Sequence, residues 1–324
     1  MRALVTGAGG FIGSHLVERL LARGWHVRAM VRYTSSGSAG FLDQLERSAR
    51  SNLDVFRGDL RDPDCVDLAM QGLDTVFNLA ALIGIPYSYE AAESYIQTNV
   101  IGTMNVLRAA RRLGVRRLVQ TSTSEVYGSA QYEPMDEAHP LHPQSPYAAS
   151  KVGSDQLALS FARSFATPVV VLRPFNTYGP RQSARAVIPT IVSQLLSSDR
   201  VRLGSLDPVR DFLYVGDTCE AFVAAATAAG IEGEVFNCAT GEGVSIGALV
   251  ELASAIVGRN VPIEQTDERV RPRNSEVTRL VGCARSLSER TEWSPTVDLR
   301  QGLARVIDWI AAHPERYDVA KYER

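Results

Sequence analysis

Short apolar runs alternate with helical patterns through the first half of this chain, and no other feature restricts its fold as much. "RALVTG", "GSHLVERLLARG", "HVRAMVR", "LDVFRGD", "DTVFNLAA", "GTMNVLRAARRLG", "RRLVQTSTS" and "TPVVVLRPFNTYGP" follow one another. Runs this apolar suit parallel strands buried on both faces, and each intervening helix must cross the sheet in the right-handed sense. The fold expected is α/β, a doubly wound parallel sheet over residues 1–180. After Pro180 arginine-rich loops replace this rhythm, interrupted by the strand-like "EGEVFNCATG" and the helix-like "SIGALVELASAIVG". Residues 181–324 are expected to form a smaller C-terminal α/β region, with a segment near 211–240 returning to the sheet.

A chain of 324 residues, 45% hydrophobic and 22% charged, can bury such a core. Its 34 basic and 36 acidic residues leave a net charge of -2, so the partner expected is a small molecule, with no nucleic acid and no membrane. Cys65, Cys219, Cys238 and Cys283 form no C-x-x-C pair and no His stands at ligand spacing, so no metal site and no disulfide framework is expected. The opening "MRALVTGAGG" carries no apolar leader and no apolar run reaches about 18 residues, which points to a soluble, cytoplasmic protein.

Gly7, Gly10 and Gly13 stand at the first strand-to-helix turn, in "TGAGGFIGSHL". Glycines there allow a tight turn and bring backbone N–H groups to a pyrophosphate at the positive end of the helix, although the spacing is G-x-x-G-x-x-G rather than G-x-G-x-x-G. The second strand ends "MVRYTSSGS", with no acid between Glu18 and Asp43 to take a free ribose hydroxyl. Arg32, with Ser35 or Ser36, is placed to meet a 2′-phosphate, so NADP is an alternative to NAD. In "SPYAASK", Tyr147 and Lys151 fall one helical turn apart, where an ammonium is expected to favour the phenolate and let it take a hydroxyl proton.

These segments, with Asp59 in "GDLRD", "NLAA", Asn99 in "TNVIGT", "TSTSEVYG", "RPFNTYGPRQ" and "RDFLYVGD", resemble the extended short-chain dehydrogenase/reductases that act on nucleotide sugars, the NAD-dependent epimerase/dehydratase family. The resemblance covers nearly the whole chain. It implies a Rossmann-type dinucleotide-binding domain over residues 1–180, a nucleotide-sugar-binding region mainly in 181–324, and NAD or NADP tightly bound and recycled. Cofactor contacts would come from Gly7, Gly10, Phe11, Ile12, Gly13 and Arg32, from Asp59 and Leu60 near the adenine, from Leu79, Ala80, Ala81 and Asn99, and from Tyr147 and Lys151. Tyr147 and Lys151 would be the catalytic pair, with Thr123 completing the hydrogen bonding to the sugar 4-hydroxyl.

The loop Thr123-Ser124-Glu125 carries more than an epimerase needs, because a 4-epimerase only oxidises C4 and returns hydride to the other face. A carboxylate such as Glu125 can take the acidified C5 proton while the C6 hydroxyl leaves, with Ser124 as a relay. The loop resembles that of nucleotide-sugar 4,6-dehydratases, in the Thr-Ser-Glu form of the GDP-mannose enzymes rather than the Thr-Asp-Glu form of the dTDP-glucose enzymes, where hydride returns to C6 to give a 4-keto-6-deoxy sugar. "LIGIPYSYEAAESY" and "RPFNTYGPRQSARAVIPTI" resemble the 4,6-dehydratases of the N-acetylhexosamine and legionaminic type. UDP-glucuronate decarboxylases share the motif, although "LIGIPYSYEAAESY" (82–95) holds no Arg or Lys for a uronate carboxylate. A 4-epimerase, a 5,6-dehydratase of a nucleotide hexosamine and a non-catalytic dinucleotide sensor stay open beside it. Asn176, Arg185, Arg210 and Arg271, with Arg273 near, are the groups expected to bind the nucleotide sugar, the arginines by bidentate phosphate contact. The helical segments "ESYIQTNVIGTMNVLRAARRLG" and "YAASKVGSDQLALSFARSFA" resemble the pair by which this family forms a homodimer.

Overall fold

The computed structural model describes residues 1–46, 50–266 and 275–317. Six strands follow the expected rhythm: β1 (Arg2–Thr6), β2 (His26–Arg32), β3 (Leu53–Gly58), β4 (Thr75–Asn78), β5 (Arg117–Thr121) and β6 (Val169–Pro174). Beyond them come β7 (Asn176–Tyr178), β8 (Val201–Leu203), β9 (Val209–Tyr214), β10 (Val235–Cys238), β11 (Gly243–Ser245), β12 (Ile263–Gln265) and β13 (Arg279–Leu280). A seven-stranded sheet, parallel throughout, runs β10-β6-β5-β4-β1-β2-β3. This is the doubly wound, Rossmann-like α/β sheet.

Both faces of the sheet are covered, which is why its strands read as continuous apolar runs. Ala3 and Val5 of β1 face Leu16, Val17 and Leu20 of helix α1 (Phe11–Ala22), in one core. Leu4, between them, enters a second core with Val66 of α2 (Pro63–Met70). After α3 (Ile85–Glu90) and α4 (Ala92–Tyr95), helix α5 (Gly102–Leu113) adds Val106 and Leu107 to that second core. Chain order reverses between β1 and β4, and a ligand crevice belongs at the C-terminal ends of the strands there.

Two expected elements are divided. The run "TPVVVLRPFNTYGP" is not one strand: β6 ends at Pro174, which has no N–H to give the ladder, and the chain leaves the main sheet so that β7 pairs with β9. With β11 and β13 on either side of β9, this makes a second, four-stranded sheet, and β8 pairs with β12. The helical stretch after residue 91 is interrupted by a π-helical turn, Ile96–Ile101, between α4 and α5. Such turns shift side chains by one position and recur at functional sites. No helix among the described residues is long and apolar enough to cross a membrane.

Candidate active site

The β1–α1 turn is built to receive an anion. Gly7 has φ +67°, and a Cβ there would lie 2.9 Å from the Ala80 backbone; a Cβ on Gly13 would collide with the Gly7 carbonyl. The N-terminus of α1 starts at Gly10 without a side-chain cap or an acid in its first turn, leaving its amides open to phosphate. Phe11 and Ile12 form that first turn. Thr6 Oγ1 accepts from the Leu79 and Ala80 amides, 3.0 Å each, and donates to Asn78 Oδ1 at 2.8 Å, which fixes the Leu79–Ala81 edge against the turn. A dinucleotide fits this cradle.

At the end of β2, Arg32 is exposed and contributes to holding the Asp59 carboxyl below its usual range; the larger cause is the hydrogen bonds from Arg61. Leu60 is buried, its carbonyl held by Asn105 Nδ2 at 2.9 Å. Asn99 is 1% exposed: its amide takes the Leu82 N–H at 2.8 Å and donates to Leu82 O and Ser150 Oγ at 2.9 Å. The π-turn thus points Asn99 between the loop after β4 and the helix that carries Tyr147 and Lys151.

That helix, α6 (Pro146–Phe165), is placed by local sequence. Ser145 caps it by accepting from the Ala148 N–H at 3.1 Å, and Pro146 occupies the first helical position. Tyr147 therefore sits in the first turn and Lys151 one turn later, both buried. Lys151 Nζ donates to the Thr121 carbonyl at 2.5 Å, at the end of β5, and burial pulls the ammonium down to about 8. Ile85 and Tyr95 wall Tyr147, the two rings edge-on with centroids 6.3 Å apart. In the protein alone burial pushes Tyr147 above its ordinary range, opposite to the direction expected from the neighbouring ammonium. A hydrogen bond from Thr123 opposes that push, and the Glu125 carboxylate adds to it.

Thr123, Ser124 and Glu125 follow β5 directly. Thr123 Oγ1 accepts from the Glu125 N–H at 3.3 Å, starting a tight turn over Ser124–Tyr127. The turn closes on Gly128 at φ +67°, where a Cβ would strike the His142 carbonyl, so the loop's shape depends on that glycine. Glu125 is half-buried and near enough to bear on the phenol. The fold thus brings Thr123, Glu125, Tyr147 and Lys151 to one end of the sheet.

The second region is less uniform. Asn176 Oδ1 is buried without a hydrogen-bond partner among the described residues. Arg210 is buried, donating to the Val209 carbonyl at 3.0 Å and facing Glu276 at 3.4 Å. Arg185 is exposed, and a Cβ on Gly84 would lie 3.8 Å from its Nη1. This corrects one sequence argument: segment 82–95 has no cation of its own, but the fold supplies Arg185 beside it. Arg271 and Arg273 lie outside the described residues.

A family model described as GDP-mannose 4,6 dehydratase matches residues 4–306. The chain belongs to this family. Relatives of the GDP-mannose 4,6-dehydratase family member include a dTDP-glucose 4,6-dehydratase of Actinoplanes sp., 35% identical over 97% of this chain and 98% of that one. A UDP-glucose 4-epimerase of Mycolicibacterium smegmatis is also 35% identical, over 95% of this chain and 98% of its own. A solved dTDP-glucose 4,6-dehydratase from Streptomyces venezuelae, with NAD bound, superposes with a TM-score of 0.90 at 31% identity, over 99% of this chain and all of the other. Membership of the extended epimerase/dehydratase group, expected from the motifs, is met.

Four buried polar residues that pack beside the candidate site were not singled out in the sequence. Asn78 and Gln120 link the ends of β1, β4 and β5 by side-chain hydrogen bonds. Asp155 and Arg173 form an ion pair exposed by 0% and 3%. A signal existed for each: a polar residue ending an apolar strand, an acid one turn after Lys151, and a charge inside "VVVLRPF".

Proposed function

We propose that the protein is an NAD(P)-dependent nucleotide-sugar 4,6-dehydratase, a hydro-lyase that works as a cytoplasmic homodimer. It oxidises C4 of a nucleotide-diphosphate hexose or hexosamine, eliminates water across C5 and C6, and then returns the hydride to C6 and a proton to C5, releasing a 4-keto-6-deoxy nucleotide sugar with the cofactor regenerated. The observation that carries the reading is the Glu125 carboxylate, held in the Thr123-Ser124-Glu125 turn within electrostatic reach of Tyr147.

Gly7, Gly10, Phe11, Ile12, Gly13, Leu79, Ala80 and Ala81 would hold the dinucleotide, with Asp59 and Leu60 at the adenine end. When bound, the nicotinamide supplies the acceptor and donor of hydride. Tyr147 takes the proton of the C4 hydroxyl, Thr123 orients that hydroxyl and donates to the phenol oxygen, and Lys151 carries positive charge one turn away. Glu125 then removes the C5 proton and returns a proton to the departing C6 hydroxyl through Ser124. Asn176, Arg185 and Arg210 would hold the nucleotide diphosphate, and the open Asn176 oxygen supports a ligand there.

Incubation with dTDP-glucose, GDP-mannose and UDP-GlcNAc should yield, from at least one, a product lighter by one water in mass spectrometry. An epimer of unchanged mass would instead select the 4-epimerase reading, which the Mycolicibacterium smegmatis relative favours. Loss of carbon dioxide from UDP-glucuronate would select a decarboxylase, for which Arg185 beside Gly84 is the relevant cation.

If Arg32 meets a 2′-phosphate, Arg32→Ala should weaken NADP by about 1.5 to 3 kcal/mol and NAD far less, as for a hydrogen bond to a charged group. Calorimetric titration of both cofactors checks this, and equal losses would retire the contact. For assembly, Ile96 on the π-turn and Phe165 at the end of α6 are 44% and 45% exposed, which supports an apolar interface on these helices. Light scattering at micromolar concentration should give twice the chain mass; a monomer would refute the dimer.

A further inference from the structure

The turn that carries Thr123, Ser124 and Glu125 is bracketed by Ser122 and Tyr127, and both brackets end on the same buried ion pair. Ser122 Oγ donates to Asp155 Oδ2 at 2.7 Å, and Arg173 Nε donates to that same oxygen at 3.0 Å. Arg173 Nη1 donates to the Tyr127 hydroxyl at 2.9 Å, and that hydroxyl donates onward to Asn237 Oδ1 at 2.7 Å. Asp155 is one helical turn after Lys151 on α6, and Arg173 stands on β6, beside β5. Asp155, Tyr127 and Asn237 are all 0% exposed.

A buried ion pair costs desolvation that its attraction barely offsets, so stability alone gives it no purpose. Its geometry gives it one. We propose that the Asp155–Arg173 pair is the positioning device of the catalytic turn: it holds Ser122 and Tyr127, and so the Thr123–Val126 segment between them, in fixed register against the helix bearing Tyr147 and Lys151. Asp155, Arg173, Ser122 and Tyr127 are positioning residues, since none is placed to touch substrate. Proton transfer to and from Glu125 needs placement to a fraction of an ångström, whereas C4 oxidation uses groups anchored on α6 as well. The inference rests on the reading of Glu125 and Tyr147 given above.

The test uses two single-hydroxyl deletions, Tyr127→Phe and Ser122→Ala, in the full-length enzyme with bound cofactor. Each should lower kcat for water loss by about 10- to 100-fold with KM changed less than about twofold, the scale expected for misplaced catalytic groups. Single-turnover C4 oxidation should fall far less, so reduced nicotinamide, formed only transiently in parental turnover, accumulates in both variants. Thr296→Val removes a comparable hydrogen bond, Thr296 Oγ1 to Asp217 Oδ1 at 2.7 Å, remote from the turn. It should lower the melting temperature without changing the ratio of oxidation to elimination. A parental ratio in Tyr127→Phe and Ser122→Ala, or the same shift in Thr296→Val, overturns the positioning role while leaving the dehydratase reading intact. A parent that eliminates water from no nucleotide hexose overturns both.

Discussion

Glu125→Gln is expected to leave C4 oxidation intact and to stop water loss. The substitution keeps the shape of the side chain but removes its basicity, and oxidation at C4 draws only on Tyr147, Lys151, Thr123 and the bound dinucleotide. Elimination should fall by about 100- to 10,000-fold, the range for loss of a general acid–base group. Reduced nicotinamide should then rise at about 340 nm toward one equivalent per site, the signature of a turnover halted after oxidation. Exchange of the C5 hydrogen in deuterated solvent should be suppressed in the same variant, since the carboxylate that removes that proton is gone. Dehydration at the parental rate would mean that the Thr123-Ser124-Glu125 turn has been misread, and an epimerase or decarboxylase would take its place.

Tyr147→Phe should block the earlier step. The ring would still pack on Ile85 and Tyr95, so the fold and the cofactor cradle stay in place. Turnover should drop at least about 100-fold, with no reduced nicotinamide formed, which separates this variant from Glu125→Gln. Because burial opposes the phenolate in the protein alone, the charge on Lys151 and the Thr123 hydrogen bond matter to this step. Near-parental turnover in Tyr147→Phe would remove the phenol from the mechanism.

The seven-stranded sheet was legible because buried parallel strands must be apolar on both faces, and that pattern is local. The glycine turn and the α6 start were legible for the same reason. Gly7 answers to its own backbone angle, and the four-residue spacing of Tyr147 and Lys151 sets them one turn apart on a helix without help from the rest of the chain. The division of the run at Pro174 and the π-turn at Ile96–Ile101 were missed, since each depends on what the segment packs against: β10 and β9 in one case, α6 in the other.

The electrostatics of the site were decided by the tertiary structure. Tyr147 and Lys151 read from spacing alone promise an acidified phenol. In the protein alone, burial behind Ile85 and Tyr95, with the Glu125 carboxylate adding to it, pushes the phenol the other way. Arg185 reaches the side of Gly84 across about a hundred residues of sequence, and Asp155 meets Arg173 and Ser122 from three different elements. Residue identity fixes which charges exist, and chain periodicity fixes which side of a strand or helix they leave from. Only the packing of those elements sets how far apart the charges are and how much water lies between them, and the energy of a charge depends on those two quantities.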